Sequence, residues 1–270
     1  MSVDYQHLEI EKAGHVATIW LNRPEKLNAM SEDIWVDLPR VVAELDSDES
    51  VRVMILAGRG RSFSVGIDIE MLASLLPSGP SDDPQEALYS QIKTLQVTIS
   101  CLAESPKPVI AAVHGHCLGG GMGLITGCDV RYGSADSVFS IRETRLAVVA
   151  DIGTLQRLPG IVGAGHTNEL ALTGADIDAA RAVEIGLLNR VYPDAAATYE
   201  AARDLAGTIA ANSPLVIQGI KKVIAANDGR SVPEALDFVA RWNAEHLLSN
   251  DLMEALAALV AKRPPEFTGT

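Results

Sequence analysis

The amino-acid sequence predicts an α/β protein in which strand, strand and helix recur, followed by a largely helical C-terminal region. Short apolar segments with strand-like composition alternate with turns and amphipathic helical patterns before the last third of the chain. From Asp178 onward the sequence is alanine-rich and helical in pattern. The change of composition near Gly174 divides the chain into a core over residues 1–174 and a helical region over residues 175–270.

The first third of the chain supplies two strands and an amphipathic helix. Residues 15–21 (HVATIWL) are rich in β-formers and alternate, whereas residues 51–57 (VRVMILA) form the apolar run typical of a buried strand. Between them, Ser31 precedes a helical apolar pattern and is predicted to cap that helix. Residues 75–84 (LLPSGPSDDP) are predicted to form a loop beside the functional site.

The remaining elements follow from the same patterns. Strands are predicted at residues 109–113, 129–132 and 187–192. Helices are predicted at residues 121–127, 178–185, 194–211, 214–226, 232–248 and 251–261.

Composition and charge exclude several classes of function. Twenty-two Lys and Arg against 35 Asp and Glu give a net charge of −13, which repels nucleic acid and anionic lipid. No segment approaches the roughly 18 uninterrupted apolar residues that a membrane span needs. We therefore expect neither a nucleic-acid nor a membrane partner, and we expect a local basic patch for any anionic small molecule.

Three cysteines, Cys101, Cys117 and Cys128, are odd in number and lack CxxC spacing. Their apolar surroundings suit buried thiols in a reducing compartment. The first residues lack a basic start followed by an apolar run, and the last residues lack a peroxisomal tripeptide. The sequence therefore predicts a cytoplasmic protein.

Common catalytic motifs do not match. The sequence lacks G-x-S-x-G, H-E-x-x-H and the P-loop lysine motif, and residues 115–120 (GHCLGG) lack the G-x-G opening of a dinucleotide fingerprint. His114, His116 and Cys117 are close in sequence, but no further clustered ligand follows them, so we expect structural residues and no metal.

Two turns of small residues are more informative. Residues 119–123 (GGGMG) and 63–68 (FSVGID) each follow a strand and open a helix. Free backbone N–H groups at such positions attract negative charge. Two converging turns would form an oxyanion hole suited to the enolate of a thioester, although tight helix-on-sheet packing explains the glycines equally well.

Four segments carry a resemblance to a known family. They are residues 22–30 (NRPEKLNAM), 62–68 (SFSVGID), 107–121 (KPVIAAVHGHCLGGG) and 262–267 (KRPPEF). In this order they resemble the crotonase, or enoyl-CoA hydratase/isomerase, superfamily, and residues 150–159 (ADIGTLQRLP) are most similar to its dienoyl-CoA isomerases. The resemblance implies a crotonase-like spiral of ββα units, a helical C-terminal trimerisation region, and a coenzyme A thioester as substrate with no permanently bound cofactor.

The resemblance also implies site residues. The family's oxyanion-hole N–H groups fall on Ile67 and Gly120, and its first catalytic carboxylate falls on Gly123, where this chain has no carboxylate. The second carboxylate matches Glu143, and the third, which dienoyl-CoA isomerases place eight residues further on, matches Asp151.

This set of residues favours isomerisation of a (di)enoyl-CoA. Glu143 would take the proton on carbon 2, and Asp151 would return one further along the chain. Hydration normally uses two carboxylates to hold its water, and Gly123 removes one of them. An enoyl-CoA hydratase, a 3-hydroxyacyl-CoA thioester hydrolase and a non-catalytic acyl-CoA-binding subunit remain alternatives.

The chain neighbours of the two carboxylates suggest their charge states. Arg142 and Arg145 flank Glu143, which predicts a pKa for Glu143 below that of Asp151. Without a catalytic role, Glu143 would be a surface carboxylate, and Asp151 would be the N-cap of a helix that begins at Ile152.

Contacts to the coenzyme and to other subunits can also be proposed. Arg23, Lys26 and Arg61 are the candidate phosphate contacts.

The C-terminal helices carry more apolar residues than one short face buries, and the resemblance implies that they build a homotrimer or homohexamer. These apolar residues are Leu247, Leu248, Leu252, Leu256 and Leu259.

Overall fold

Two sheets of unequal size organise the computed structural model, which describes residues 5–74 and 83–270. The strands are Leu8–Ala13 (β1), Val16–Leu21 (β2), Val53–Gly58 (β3), Val109–Val113 (β4), His116–Leu118 (β5), Val130–Ser134 (β6), Val138–Ser140 (β7), Ile177–Asp178 (β8) and Arg190–Tyr192 (β9). The helices are Glu32–Ser47 (α1), Ile69–Ser74 (α2), Pro84–Glu104 (α3), Gly120–Thr126 (α4), Thr154–Val162 (α5), Ala164–Thr173 (α6), Ala179–Glu184 (α7), Ala195–Ala210 (α8), Pro214–Ala226 (α9), Val232–His246 (α10) and Asn250–Ala261 (α11).

The larger sheet has six strands in the order β1-β2-β3-β4-β6-β9. β1 and β2 are antiparallel, and every other neighbouring pair is parallel. Every residue of β3 and β4 is buried, which explains their continuous apolar sequences, since a parallel sheet covered on both faces has no polar side.

A hydrophobic core lies on each face of this sheet. Met54 and Leu56 of β3 belong to the first core, with helices α1 and α3, and the alternate residues Val53 and Ile55 belong to the second. Helix α8 covers the second face with small residues spaced four apart, so its backbone approaches the sheet closely. These residues are Ala202, Ala206 and Ala210.

The smaller sheet has the order β5-β7-β8. A single parallel bridge between Ser64 and Cys117 links β5 to the turn that follows β3. In that bridge the N–H of Ser64 donates to the carbonyl of His116 at 2.9 Å, and the N–H of Leu118 donates to the carbonyl of Ser64 at 3.0 Å. Because the turn at 119–123 follows β5 directly in the chain, this bridge places the two small-residue turns side by side.

The predicted strands at 15–21, 51–57, 109–113, 129–132 and 187–192 correspond to β2, β3, β4, β6 and β9. The predicted C-terminal helices correspond to α7–α11 within a few residues. The division at residue 174 follows composition, whereas β8 and β9 extend both sheets beyond it.

Several elements differ from the sequence-based expectation. Strand β1 and helix α3 were not predicted, and the short strands β5, β7 and β8 are below the length at which periodicity is informative. Ser31 occupies the N-cap position of α1 as expected, but its hydroxyl makes no hydrogen bond to the helix and contacts Nδ1 of His7 at 2.8 Å instead. Most of the predicted loop at 75–84 lies outside the described residues, and its last residue, Pro84, begins α3.

The described ranges contain no helix long and apolar enough to cross a membrane.

Candidate active site

A cavity of about 260 Å³ brings the four expected site positions together. Its lining includes Ile67 and Gly120 from the two small-residue turns, and both Glu143 and Asp151. Apolar side chains make up much of the remaining wall. They include Trp35, Leu88, Ile92, Leu95, Leu146 and Val148.

The backbone of Ile67 is oriented by a parallel bridge to Met30. The N–H of Met30 donates to the carbonyl of Gly66 at 2.8 Å, and the N–H of Asp68 donates to the carbonyl of Met30 at 3.1 Å. Because the residues on either side of Ile67 make these bonds, the N–H of Ile67 itself points away from Met30.

The backbone of Gly120 is oriented by the turn at Gly119. Gly119 has φ +51 and ψ −117, a conformation that disfavours side chains, and its N–H donates to the carbonyl of Ser140 at 2.9 Å. Gly120 then begins α4, so its N–H has no acceptor within the helix.

The two turns meet because Gly66 lacks a side chain. A Cβ atom on Gly66 would lie 2.8 Å from the carbonyl of Leu118 and 3.0 Å from the nitrogen of Gly120. Within residues 5–74 and 83–270, the N–H groups of Ile67 and Gly120 have no hydrogen-bond acceptor. Two adjacent free donors are the arrangement that stabilises an oxyanion.

Glu143 lies in the 3-10 turn Arg142–Leu146, directly after β7. The guanidinium of Arg142 binds Asp176 at 2.7 Å, and Thr144 donates to the carbonyl of Ala171, so the turn is fixed from both sides. The carboxyl of Glu143 stands over the turn at Gly119, because a Cβ there would lie 3.8 Å from both carboxylate oxygens.

The electrostatics of Glu143 differ from the expectation. The pKa of Glu143 is raised, and burial of its carboxyl is the largest cause. A hydrogen bond from its own backbone N–H lowers the pKa in part, whereas the negative charge of Asp151 raises it further. The oxygen Oε2 is buried with no hydrogen-bond partner in the described part of the chain. Neither neighbouring arginine is a cause of this shift, contrary to expectation, and Arg142 is bound to Asp176 instead. The predicted order of the two pKa values, with Glu143 below Asp151, stays a prediction.

Asp151 follows the buried residue Ala150 and is held from a distant helix. Nε2 of Gln96 in α3 donates to the backbone carbonyl of Asp151 at 2.7 Å. Helix α5 begins at Thr154 with Gly153 as its N-cap, so Asp151 is not the cap and its side chain is available to the cavity. Burial raises the pKa of Asp151.

Gln96 is a functional candidate that sequence reasoning missed. It acts on Asp151 from 55 positions away in the chain, and no motif surrounds it. Only the packing of α3 against the turn at 151–153 reveals the contact.

The three candidate phosphate contacts have different environments. The guanidinium of Arg23 is largely buried and ion-paired with Asp68, next to Ile67. Nζ of Lys26 is half exposed at 3.7 Å from Glu70, and Arg61 is exposed. Lys26 and Arg61 are therefore the more accessible cations, and phosphate binding at all three positions stays a prediction.

The described residues contain no group of three or more His, Cys, Asp or Glu side chains that could hold a metal ion. His114 instead contacts the carbonyl of Gly60 at 2.9 Å, and Cys117 is buried in the first core.

Comparison with known proteins identifies the family to which this chain belongs. A family model described as enoyl-CoA hydratase/isomerase matches residues 11–270, and the chain belongs to this family. A crystal structure of an enoyl-CoA hydratase from Bacillus anthracis has a TM-score of 0.90 and 30% identity, covering 98% of this chain and 100% of that chain. The expected crotonase-like α/β fold is confirmed.

Within this family, the chain is similar to proteins named as dienoyl-CoA isomerases. A peroxisomal Delta(3,5)-Delta(2,4)-dienoyl-CoA isomerase from Arabidopsis thaliana is 41% identical over 270 residues, covering 97% of each chain. A mitochondrial protein of the same name from Rattus norvegicus is 37% identical over 265 residues, covering 96% of this chain and 81% of the relative. The expected similarity to dienoyl-CoA isomerases is also confirmed.

The charge interaction between the carboxylates can be tested by Asp151→Asn. The substitution removes a negative charge that raises the pKa of Glu143, so this pKa should fall and Glu143 should ionise at lower pH. Carbon-13 NMR of labelled glutamate carboxyls measures the change, with Glu143→Gln identifying the resonance. Asp204→Asn, on the exposed face of α8, is the control and should leave the value unaltered. An unchanged or raised pKa in Asp151→Asn would contradict the interaction.

Proposed function

We propose that this protein shifts double bonds in dienoyl-CoA thioesters, with a 3,5-dienoyl chain as substrate and a 2,4-dienoyl chain as product. The observation that carries the proposal is one cavity with two free N–H groups and two carboxyls of raised pKa. The names of its relatives in Arabidopsis thaliana and Rattus norvegicus support the same reaction.

The reaction begins at the thioester carbonyl. Its oxygen accepts hydrogen bonds from the N–H groups of Ile67 and Gly120, which stabilise negative charge on that oxygen. The C–H bond at carbon 2 breaks, its proton passes to the carboxylate of Glu143, and its electron pair enters the conjugated enolate.

The second half of the reaction returns a proton. The enolate charge extends through the diene to carbon 6, where the carboxyl of Asp151 delivers its proton to form a new C–H bond. The double bonds then lie at carbons 2 and 4, and the carbonyl is restored. The carboxyl pair has passed one proton in and one proton out, so the atoms balance without a cofactor.

The raised pKa values suit this exchange. A base with a raised pKa accepts a carbon-bound proton more readily, and an acid with a raised pKa is protonated in a larger fraction of molecules. A pair that shares one proton titrates as a unit, which predicts a bell-shaped dependence of kcat/KM on pH.

Hydration is less well supported. Although the Bacillus anthracis neighbour is named enoyl-CoA hydratase, this chain has Gly123 where the family's first carboxylate falls. Hydrolysis of a 3-hydroxyacyl-CoA would use the same two carboxylates, and no separate feature of the cavity favours it.

The two carboxylate roles can be separated by variants of matched shape. Glu143→Gln should lower turnover by at least ~10² and abolish exchange of the carbon 2 proton with D2O, since no base remains. Asp151→Asn should also lose turnover but retain exchange at carbon 2, because Glu143 still removes that proton. Mass spectrometry of recovered substrate measures the exchange.

Binding of a non-reacting acyl-CoA should persist in both variants and serves as the control for folding. Full turnover in Glu143→Gln would remove Glu143 from the mechanism. Loss of exchange in Asp151→Asn together with its retention in Glu143→Gln would reverse the two assignments.

We also propose that the protein is a homotrimer or homohexamer. Apolar side chains on α11 and just before it are strongly exposed, with Leu248 at 94%, Leu259 at 76% and Val260 at 87%. Such a surface favours a partner subunit. Light scattering should give a multiple of three chains of 28.7 kDa, and a stable monomer at working concentration would contradict the proposal.

The proposed substrate carries coenzyme A, and we propose no permanently bound cofactor. We assign the phosphates of coenzyme A to Lys26 and Arg61, with Arg23 beside them.

We propose a cytoplasmic location, which suits the free thiols of Cys101, Cys117 and Cys128. The names of the Arabidopsis and rat relatives place those proteins in peroxisomes and mitochondria.

A further inference from the structure

The space beside Gly123 is filled by a neighbouring apolar side chain. Gly123 is buried within α4, and a Cβ atom there would lie 3.0 Å from Cδ1 and 3.4 Å from Cγ1 of Ile152. A contact at 3.0 Å is tighter than ordinary packing, so Ile152 must give way by a few tenths of an ångström for a Cβ, and further for a longer side chain at position 123.

Ile152 also faces the reacting groups. It directly follows Asp151, is only 7% exposed, and lines the cavity that contains both carboxylates. This part of the wall is therefore apolar, although it adjoins the proton donor of the proposed reaction.

One polar atom near this space has no partner. Oγ1 of Thr154 would lie 3.4 Å from a Cβ on Gly123, and Thr154 is fully buried. Within the described residues this hydroxyl has no hydrogen-bond partner. An ordered water needs two to four polar contacts, and among the three atoms nearest a Cβ on Gly123 this hydroxyl is the one polar atom.

We propose that Ile152 is a specificity-determining residue that keeps the enzyme an isomerase by excluding water from the space beside Gly123. Hydration would form a bond between a water oxygen and carbon 3, pass one water proton to a carboxylate, and deliver a proton to carbon 2. With Ile152 in place, no water is held for that attack, and the enolate instead receives a proton on its acyl chain. The inference rests on the proposed function.

Four proteins test this role: the unaltered chain, Gly123→Glu, Ile152→Ala and the double variant. Gly123→Glu alone should not hydrate a 2-enoyl-CoA, because its carboxylate meets Ile152. The double variant has room for the carboxylate, with Thr154 as its donor. The ratio of hydration to isomerisation should therefore rise by at least ~10-fold over either single variant. Mass spectrometry of products formed in H2¹⁸O measures hydration.

A matched control separates the position of Ile152 from loss of apolar volume in general. Leu155→Ala combined with Gly123→Glu shortens a side chain of α5 that supplies none of the three atoms nearest a Cβ on Gly123, and it should not hydrate. Hydration in Gly123→Glu alone at the level of the double variant would overturn the proposal. A double variant that is folded and still shows no hydration would also overturn it.

A stability cycle keeps the test decisive if the variants that carry Gly123→Glu fold poorly. The change in Tm caused by Gly123→Ala should be more favourable in the Ile152→Ala background than in the unaltered chain, because the contact is then removed. Equal changes in both backgrounds would contradict the packing on which the proposal depends. A wild-type protein that does not isomerise 3,5-dienoyl-CoA refutes the proposed function instead, whereas hydration confined to the double variant still supports the role of Ile152.

Discussion

The convergence of two backbone N–H groups, those of Ile67 and Gly120, is the constraint on which the rest of the site depends. Neither side chain contributes to this donor pair, so the backbone itself must be aimed. Met30 orients one donor through its bridge, the sharp turn at Gly119 orients the other, and Gly66 lets the two turns touch. These contacts join the turn after β3 to β5 and α4, which explains why the small sheet lies where it does.

The second property of the site is the raised pKa of its two carboxyls, and burial is the main cause of it. The apolar wall of the cavity removes water from Glu143 and Asp151, and this desolvation is the largest cause of the raised pKa of each. The nearest cation in sequence, Arg142, is drawn away by Asp176. Within the described residues, the proposed base therefore has no ion pair, which would have lowered its pKa and its basicity.

Sequence and structure agree best where local pattern decides the outcome. The buried strands were predictable from apolar runs, and the helices after residue 178 from their composition. The resemblance of short segments to a family placed Ile67, Gly120, Glu143 and Asp151, which the fold brings to one cavity.

The contacts that sequence could not give are those between residues far apart in the chain. The pair Arg142–Asp176 spans 34 positions, and Gln96 reaches Asp151 across 55. The influence predicted for Arg142 and Arg145 on Glu143 rested on chain neighbours, whereas burial is the main cause of the raised pKa of Glu143 in the structure. The packing of Ile152 against Gly123 is invisible in sequence for the same reason.

The central claim is that Ile67 and Gly120 polarise the thioester carbonyl so that carbon 2 loses its proton. Infrared difference spectroscopy of a ¹³C-labelled thioester carbonyl, bound to the unreactive Glu143→Gln variant, reads this polarisation directly. Two hydrogen bonds in a desolvated cavity should lower the carbonyl stretching frequency below its value for the free thioester in water. A bound carbonyl at the same or a higher frequency would contradict the account.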